Sequence, residues 1–222
     1  MMKQVPFYLF IIIGAIHLAA VTFGLESVSL LSKPLIMMTL AGYYWAQTTK
    51  SDYLFITAML FCWAGDVLLM YQQAEIFFML GLTSFLIGHM LYIFAYRKFR
   101  FRKSINTLLP TQRIRYALPI ILAGTGLVTV LYPFLGSLKV PVMIYALVIT
   151  IMTLQALFRF GFTNTRSFAF ILIGALLFMT SDSLLAVNKF MTPWPFASLS
   201  IMATYIAAQF LIVEGVLAHP KE

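Results

Sequence analysis

FAFILIGALLFMTSDSLLAVN, residues 168–188, is an apolar run of 21 residues with one charge inside it, Asp182. Coiled as a helix at about 1.5 Å per residue, it reaches about 30 Å, the thickness of a bilayer's hydrocarbon core. A strand of a membrane barrel would alternate apolar and polar residues with a period of two, and this run does not. Seven more runs of the same kind accompany it, at residues 7–24, 28–47, 53–71, 74–96, 116–132, 137–158 and 193–217. Only a helix satisfies its own backbone in hydrocarbon unless a barrel closes. The expected fold is therefore all-α: a polytopic membrane protein of eight transmembrane helices, forming a single transmembrane domain over residues 1–222.

Composition agrees with that reading. The 222 residues are 62% hydrophobic and 10% charged, whereas soluble domains are about 25% charged. Eight spans of about 20 residues use most of the chain and leave no room for a soluble domain. The first run has Lys3 ahead of it and small residues at its end, as a signal peptide would, but with seven spans following it is expected to be a retained helix. Cys62 is the single cysteine, so no intrachain disulfide and no cysteine-based metal site can form; it is read as packing.

Seven of the fifteen basic residues, Arg97, Lys98, Arg100, Arg102, Lys103, Arg113 and Arg115, fall between residues 97 and 115. With eight spans, the termini share a side with this connection and carry Lys3, Lys50, Arg159, Arg166 and Lys221 as well, which makes twelve basic residues against Lys139 and Lys189 opposite. The bias places both termini and the basic loop of about 97–115 in the cytoplasm, as for a protein of the bacterial inner (plasma) membrane. The net charge of +8 thus reads as a topology signal in contact with membrane lipids, and no nucleic acid partner is expected.

The two halves resemble each other. AGDVLLM around Asp66 matches TSDSLLA around Asp182, and LSKPLIMM at Leu31 matches LKVPVMIY at Leu138. His89 and Tyr205 each follow their aspartate by 23 positions. Four spans per half suggests a 4+4 parallel repeat.

A charge within a membrane helix costs several kcal/mol by insertion scales, about 2.5–3.5 for Asp or Lys, and survives where it faces a cavity or a partner. Asp66 and Asp182 both lie about 20 Å from the cytoplasmic face, and Lys33 about 7 Å in from the outer face. His89 lies about 22 Å from the outer face, deeper than the aspartates. Two carboxyls in one dry site favour one protonated and one ionised group, an acid and a base together. They could equally be a buried polar lock between helices, or a proton-translocating pair. Lys33 could partner an aspartate, bind a phosphate or snorkel. Asp66, Asp182 and His89 could make three metal ligands, although their depths differ. Tyr92, Tyr145 and Gln209 are polar-tipped residues within spans. No nucleophile elbow, phosphate loop or dinucleotide fingerprint is present.

The stretch AGDVLLMYQQAEIFFMLGLTSFLIGHMLYIF, with SKPLIMM before it and PVMIYALVITIM, GALLFMTSDSLLAVNKF and YIAAQFLIVEG after it, resembles the YhhN family of membrane lysoplasmalogenases. The likeness runs from about Lys33 to Glu214. It implies a lipid hydrolase that cleaves the vinyl ether bond of a lysoplasmalogen, giving a fatty aldehyde and glycerophosphocholine or glycerophosphoethanolamine, with no cofactor and no metal. The positions that match the family's polar residues are Lys33, Asp66, His89, Tyr92, Tyr145, Ser181, Asp182, Asn188 and Gln209. The chemistry suits this set: an enol ether is hydrolysed by protonation at carbon, stabilisation of the resulting cation and activation of water. Asp66 and Asp182 are the expected catalytic pair, and the other seven residues the expected lysophospholipid-binding set. Two rival readings are a small transporter or proton-coupled carrier, and a metal-dependent membrane hydrolase acting on another lipid.

Overall fold

The computed structural model describes residues 4–48, 51–104 and 108–220. Lys3, Lys50 and Lys221, which enter the charge comparison, lie outside the described residues. Among the described residues there are eight α-helices: α1 (Val5–Thr22), α2 (Glu26–Gln47), α3 (Tyr53–Leu69), α4 (Glu75–Lys98), α5 (Pro110–Leu131), α6 (Lys139–Leu157), α7 (Thr165–Phe190) and α8 (Ala197–Leu217). Six of them, α1 and α4 through α8, are long and apolar enough to cross a membrane. Outside that group stand α2, which carries Glu26, Ser27, Ser29, Ser32 and Lys33 near its start, and α3, with 17 residues.

The helix ends follow local chemistry. Asp52 caps α3 by accepting from Phe55 N–H at 3.0 Å, and Asn164 caps α7 by accepting from Ser167 N–H at 2.7 Å. α1 stops where Gly24 takes φ +68° and Leu25 N–H reaches back to Ala20 O at 2.8 Å, a left-handed helix terminus that favours glycine.

Two boundaries differ from the apolar runs. α5 begins at Pro110 rather than near residue 116, because Pro110 suits a first helical turn and Gln112 Oε1 accepts from Leu109 N–H at 3.0 Å. Arg113 and Arg115 are therefore helical, and the basic connection is shorter than residues 97–115. α8 begins at Ala197 rather than residue 193, since Pro195 disfavours helical backbone at Trp194.

The chain divides into two compact units, Met1–Tyr92 and Ile93–Glu222, with the division inside α4. In the first, α1 packs on α2 and α2 on α3, while α3 and α4 meet through glycines. A Cβ built on Gly65 would strike the Phe85 ring at 2.5 Å, one on Gly81 would strike Leu69 at 2.8 Å, and one on Gly88 would lie 3.0 Å from Cys62 Sγ. Cys62 is fully buried there.

In the second unit α7 and α8 approach just as closely. A Cβ on Gly174 would sit 2.9 Å from Ala208 O and 3.0 Å from Ile212 N. These are backbone atoms that cannot rotate aside, so the absent side chain is what permits the contact. Gly174→Leu is expected to cost about 1–3 kcal/mol by overpacking, read as a lowered unfolding midpoint of the purified protein in detergent.

Arg159, read from sequence as a loop charge, is fully buried between α6 and α7. Its Nε and Nη2 donate to Phe99 O at 3.2 and 2.9 Å. Nη1 donates to Ser167 O at 3.2 Å and Nη2 to Ser167 Oγ at 2.8 Å. Ser167 in turn donates to Gly215 O at 2.6 Å. One guanidinium thus ties the residue after α4 to the start of α7 and, through Ser167, to the end of α8.

Candidate active site

In the first unit the polar residues gather around α2 and α3. Asp66 is 4% exposed, and Gly65 beside it lets α4 come close. Lys33, on α2, is half-buried, and its charge and that of Asp66 act on each other. Pro34 follows Lys33 inside α2 and deprives the helix of one backbone donor. The Pro34 carbonyl accepts from Trp63 Nε1 at 3.1 Å, locking α2 to α3 three residues before Asp66.

His17, on α1, belongs to the same cluster. It is 1% exposed, feels the charge of Lys33, and its Nδ1 lies 2.8 Å from Ser32 Oγ. Ser32 spends its own proton on Val28 O at 2.7 Å, so it must accept from His17 Nδ1–H, leaving Nε2 as a lone-pair acceptor. That Nε2 has no hydrogen-bond partner among the described residues. His17 is not among the candidate residues read from the sequence, although it is as unusual in an apolar run as His89.

The α3–α4 register places His89 four residues beyond Phe85, which faces Gly65, hence about 6 Å along the helix from the level of Asp66. His89 is fully buried, with Phe85 ring to ring at 6.2 Å. Tyr92 is also fully buried, its ring 5.6 Å from Phe55.

In the second unit Tyr145, on α6, donates its hydroxyl to Asp182 Oδ2 on α7 at 2.5 Å. Asp182 is half-buried. Ser181 is directed elsewhere: 2% exposed, it donates to Ile201 O on α8 at 2.9 Å and acts as an interhelix tie. Gln209 is fully buried, and its Nε2 donates to Tyr205 Oη at 3.4 Å. Tyr205 lies four residues past Ile201, again about 6 Å beyond the aspartate's level. Each hairpin therefore holds its aspartate one turn away from the residue 23 positions later. Asn188 is half-buried, six residues past Asp182 on α7 and about 9 Å along the axis. Among the described residues no three His, Cys, Asp or Glu side chains gather at metal-binding distance.

The arrangement offers two carboxyls in different settings. Asp182 receives the Tyr145 hydroxyl as a hydrogen-bond donor. Asp66 is more deeply buried and shares its surroundings with a lysine.

The chain is similar to several known proteins. The chain is 33% identical over 192 residues to lysoplasmalogenase TMEM86B of Homo sapiens, covering 86% of this chain and 76% of that protein. It is 31% identical over 195 residues to lysoplasmalogenase TMEM86B of Rattus norvegicus, covering 87% and 75%. It is 27% identical over 163 residues to a lysoplasmalogenase of Mycobacterium bovis, covering 72% and 59%. No solved structure matches the chain. The profile of the YhhN family matches residues 28–216, from the first turn of α2 to the last of α8, so that Lys33, Asp66, Tyr145 and Asp182 fall inside the match and His17 outside it: the chain belongs to the YhhN family.

Proposed function

We propose that the protein is a membrane lipid hydrolase that cleaves the vinyl ether bond of lysoplasmalogens, releasing a fatty aldehyde and a glycerophospho head group. The observation that carries the reading is the carboxyl group held on each of two hairpins, Asp66 beside Lys33 and Asp182 under the Tyr145 hydroxyl, in a chain whose relatives are named lysoplasmalogenases.

In this mechanism Asp66, in its protonated form, delivers its proton to the vinyl carbon distal to the ether oxygen. The oxygen's lone pair forms the oxocarbenium ion, which the Asp182 carboxylate stabilises by charge. Asp182 then takes a proton from water as the water oxygen bonds to the cationic carbon. The resulting hemiacetal breaks its bond to the glycerol oxygen, which leaves as the alcohol with the proton that Asp182 took from water, while the hydroxyl gives its proton to Asp66 and its carbon becomes the aldehyde. Lys33, His89, Tyr92, Gln209 and Asn188 bind and shape the lysophospholipid, and Ser181 keeps α7 and α8 in register. The six long apolar helices together with α2 and α3 make the eight spans, and the surplus of basic residues on one side puts both termini in the cytoplasm.

Aldehyde release from a lysoplasmenyl lipid by the purified protein tests the reading. The matching saturated alkyl ether should remain intact, because it cannot be protonated to an oxocarbenium ion. Transport of unaltered lipid into proteoliposomes, with no aldehyde formed, would replace the hydrolase by a carrier. Tyr145→Phe removes one hydrogen bond to a charged group, and is expected to lower kcat about tenfold or more with the unfolding midpoint nearly unchanged.

A further inference from the structure

The second unit carries another site, at the end where α4, α6 and α8 finish and α5 and α7 begin. Arg100 lies over the Phe162 ring, 4.0 Å from its centroid, and Phe101 N–H donates to Phe162 O at 2.7 Å. The basic connection is thereby pinned to the α6–α7 connection. Burial, and the positive charges of Arg113 and Arg97, hold the Arg100 guanidinium below its ordinary pKa. Three like charges are thus kept together. Residues 93–222 contain three acids, Asp182, Glu214 and Glu222. Glu214 faces Arg166 at 3.7 Å, Asp182 is toward the other end of α7, and Glu222 lies outside the described residues. Among the described residues no carboxylate pairs with Arg97, Arg100 or Arg113.

Beside these arginines is an open groove of about 600 Å³, lined by Leu109, Tyr116, Leu157, Phe160, Phe168 and Leu172 among others. Arg113 and Arg115 flank Gln112 and Tyr116, its α5 wall, and the Arg115 guanidinium lies 5.4 Å from the Tyr116 ring. A topology signal needs only a count of charges at the right side. It needs neither an arginine stacked on an aromatic ring nor an apolar trough adjoining the charges. An uncompensated arginine group matches a phosphate, and the trough matches a hydrocarbon chain.

We propose that this end of the protein binds one anionic phospholipid, with its phosphate on Arg97, Arg100 and Arg113 and an acyl chain in the groove between α5, α6 and α7. The charge complementarity selects an anionic head group, and the adjoining groove selects a lipid over a soluble anion. This site shares no residue with the candidate active site and does not rest on the hydrolase reading.

The test uses the full-length protein in neutral detergent, with binding followed by native mass spectrometry and by the unfolding midpoint. Phosphatidylglycerol is expected to bind and raise the midpoint. Phosphatidylcholine with the same chains should bind about tenfold or more weakly, and inorganic phosphate at equal concentration should leave the midpoint unmoved. Arg100→Gln with Arg113→Gln, and separately Leu109→Trp, which fills the groove, should each lower phosphatidylglycerol affinity about tenfold. Lys139→Gln, at the other end of α6, should not. Equal binding of the two lipids by the wild-type protein, a measurement that needs no variant to fold, would overturn the proposal by showing a greasy groove without head-group choice. Phosphate alone reproducing the shift, or the double variant keeping wild-type affinity, would overturn it as well.

Discussion

Asp182→Asn is expected to lower the rate of aldehyde release by about 10²–10⁴-fold, the usual contribution of a positioned acid or base. The amide keeps the size of the carboxyl and still accepts the Tyr145 hydroxyl, whose contact with Asp182 is 2.5 Å, so the fold should survive with an unchanged unfolding midpoint. What the amide cannot do is carry the charge that stabilises an oxocarbenium ion or accept a proton from water. Asp66→Asn should fall by a similar factor, because it removes the proton donor. If both residues serve one protonation and capture sequence, the double variant should be little worse than the more impaired single one, since groups that act as a unit are not additive. Wild-type turnover in both single variants would sink the mechanism while leaving the family membership untouched.

Arg159→Leu is expected to be the most damaging change outside the candidate site, at about 3 kcal/mol or more. It strands the carbonyl of Phe99 and removes the donors to Ser167 O and Oγ; a buried acceptor left without a donor costs about 1–3 kcal/mol, and a lost hydrogen bond from a charged group about 1.5–3 kcal/mol. The guanidinium itself is not held there by charge. Burial, the largest cause, and the neighbouring Arg100 push its pKa down to about 10, while Tyr96 acts in the opposite direction. A cation whose pKa is lower in the folded state than in the unfolded chain weakens folding below the folded value, and that penalty fades as pH rises through it. The benefit of Arg159 therefore lies in its four hydrogen bonds, and it should show no loss on raising pH from about 6 to 9. Arg159→Lys, which offers a point charge instead of a planar fork, should recover only part of the midpoint lost in Arg159→Leu. An unaltered midpoint in Arg159→Leu would refute the assignment.

The eight helices are legible because uninterrupted apolar runs are a one-dimensional signal. So is depth: counting residues set His89 deeper than Asp66, and the packing of Gly65 against Phe85 puts it a turn further along. Rotation about the helix axis is a different matter. Nothing in a run of apolar letters tells that Ser181 turns to Ile201 O while its neighbour Asp182 turns to Tyr145. The start of α5 escaped the apolar criterion because its first turns carry Gln112, Arg113 and Arg115, which are good helix formers but poor hydrocarbon. Arg159 escaped for the opposite reason, being buried by backbone carbonyls that no side-chain pattern records; its only sequence hint is the pair Phe158 and Phe160 around it. The likeness of LSKPLIMM to LKVPVMIY also changes meaning in three dimensions. Pro34 is the ninth residue of α2 and interrupts its backbone ladder, whereas Pro141 is the third of α6, where no donor is required.

The indole of Trp63, bonded to the Pro34 carbonyl at 3.1 Å, gives the molecule an optical gauge of its own. The chromophore sits between Lys33 and Asp66 along two helices, so any occupant that shifts α2 against α3 alters its emission without a dye or a label. Trp45, at 73% exposure, supplies a steady background from the same helix pair against which such a change can be read.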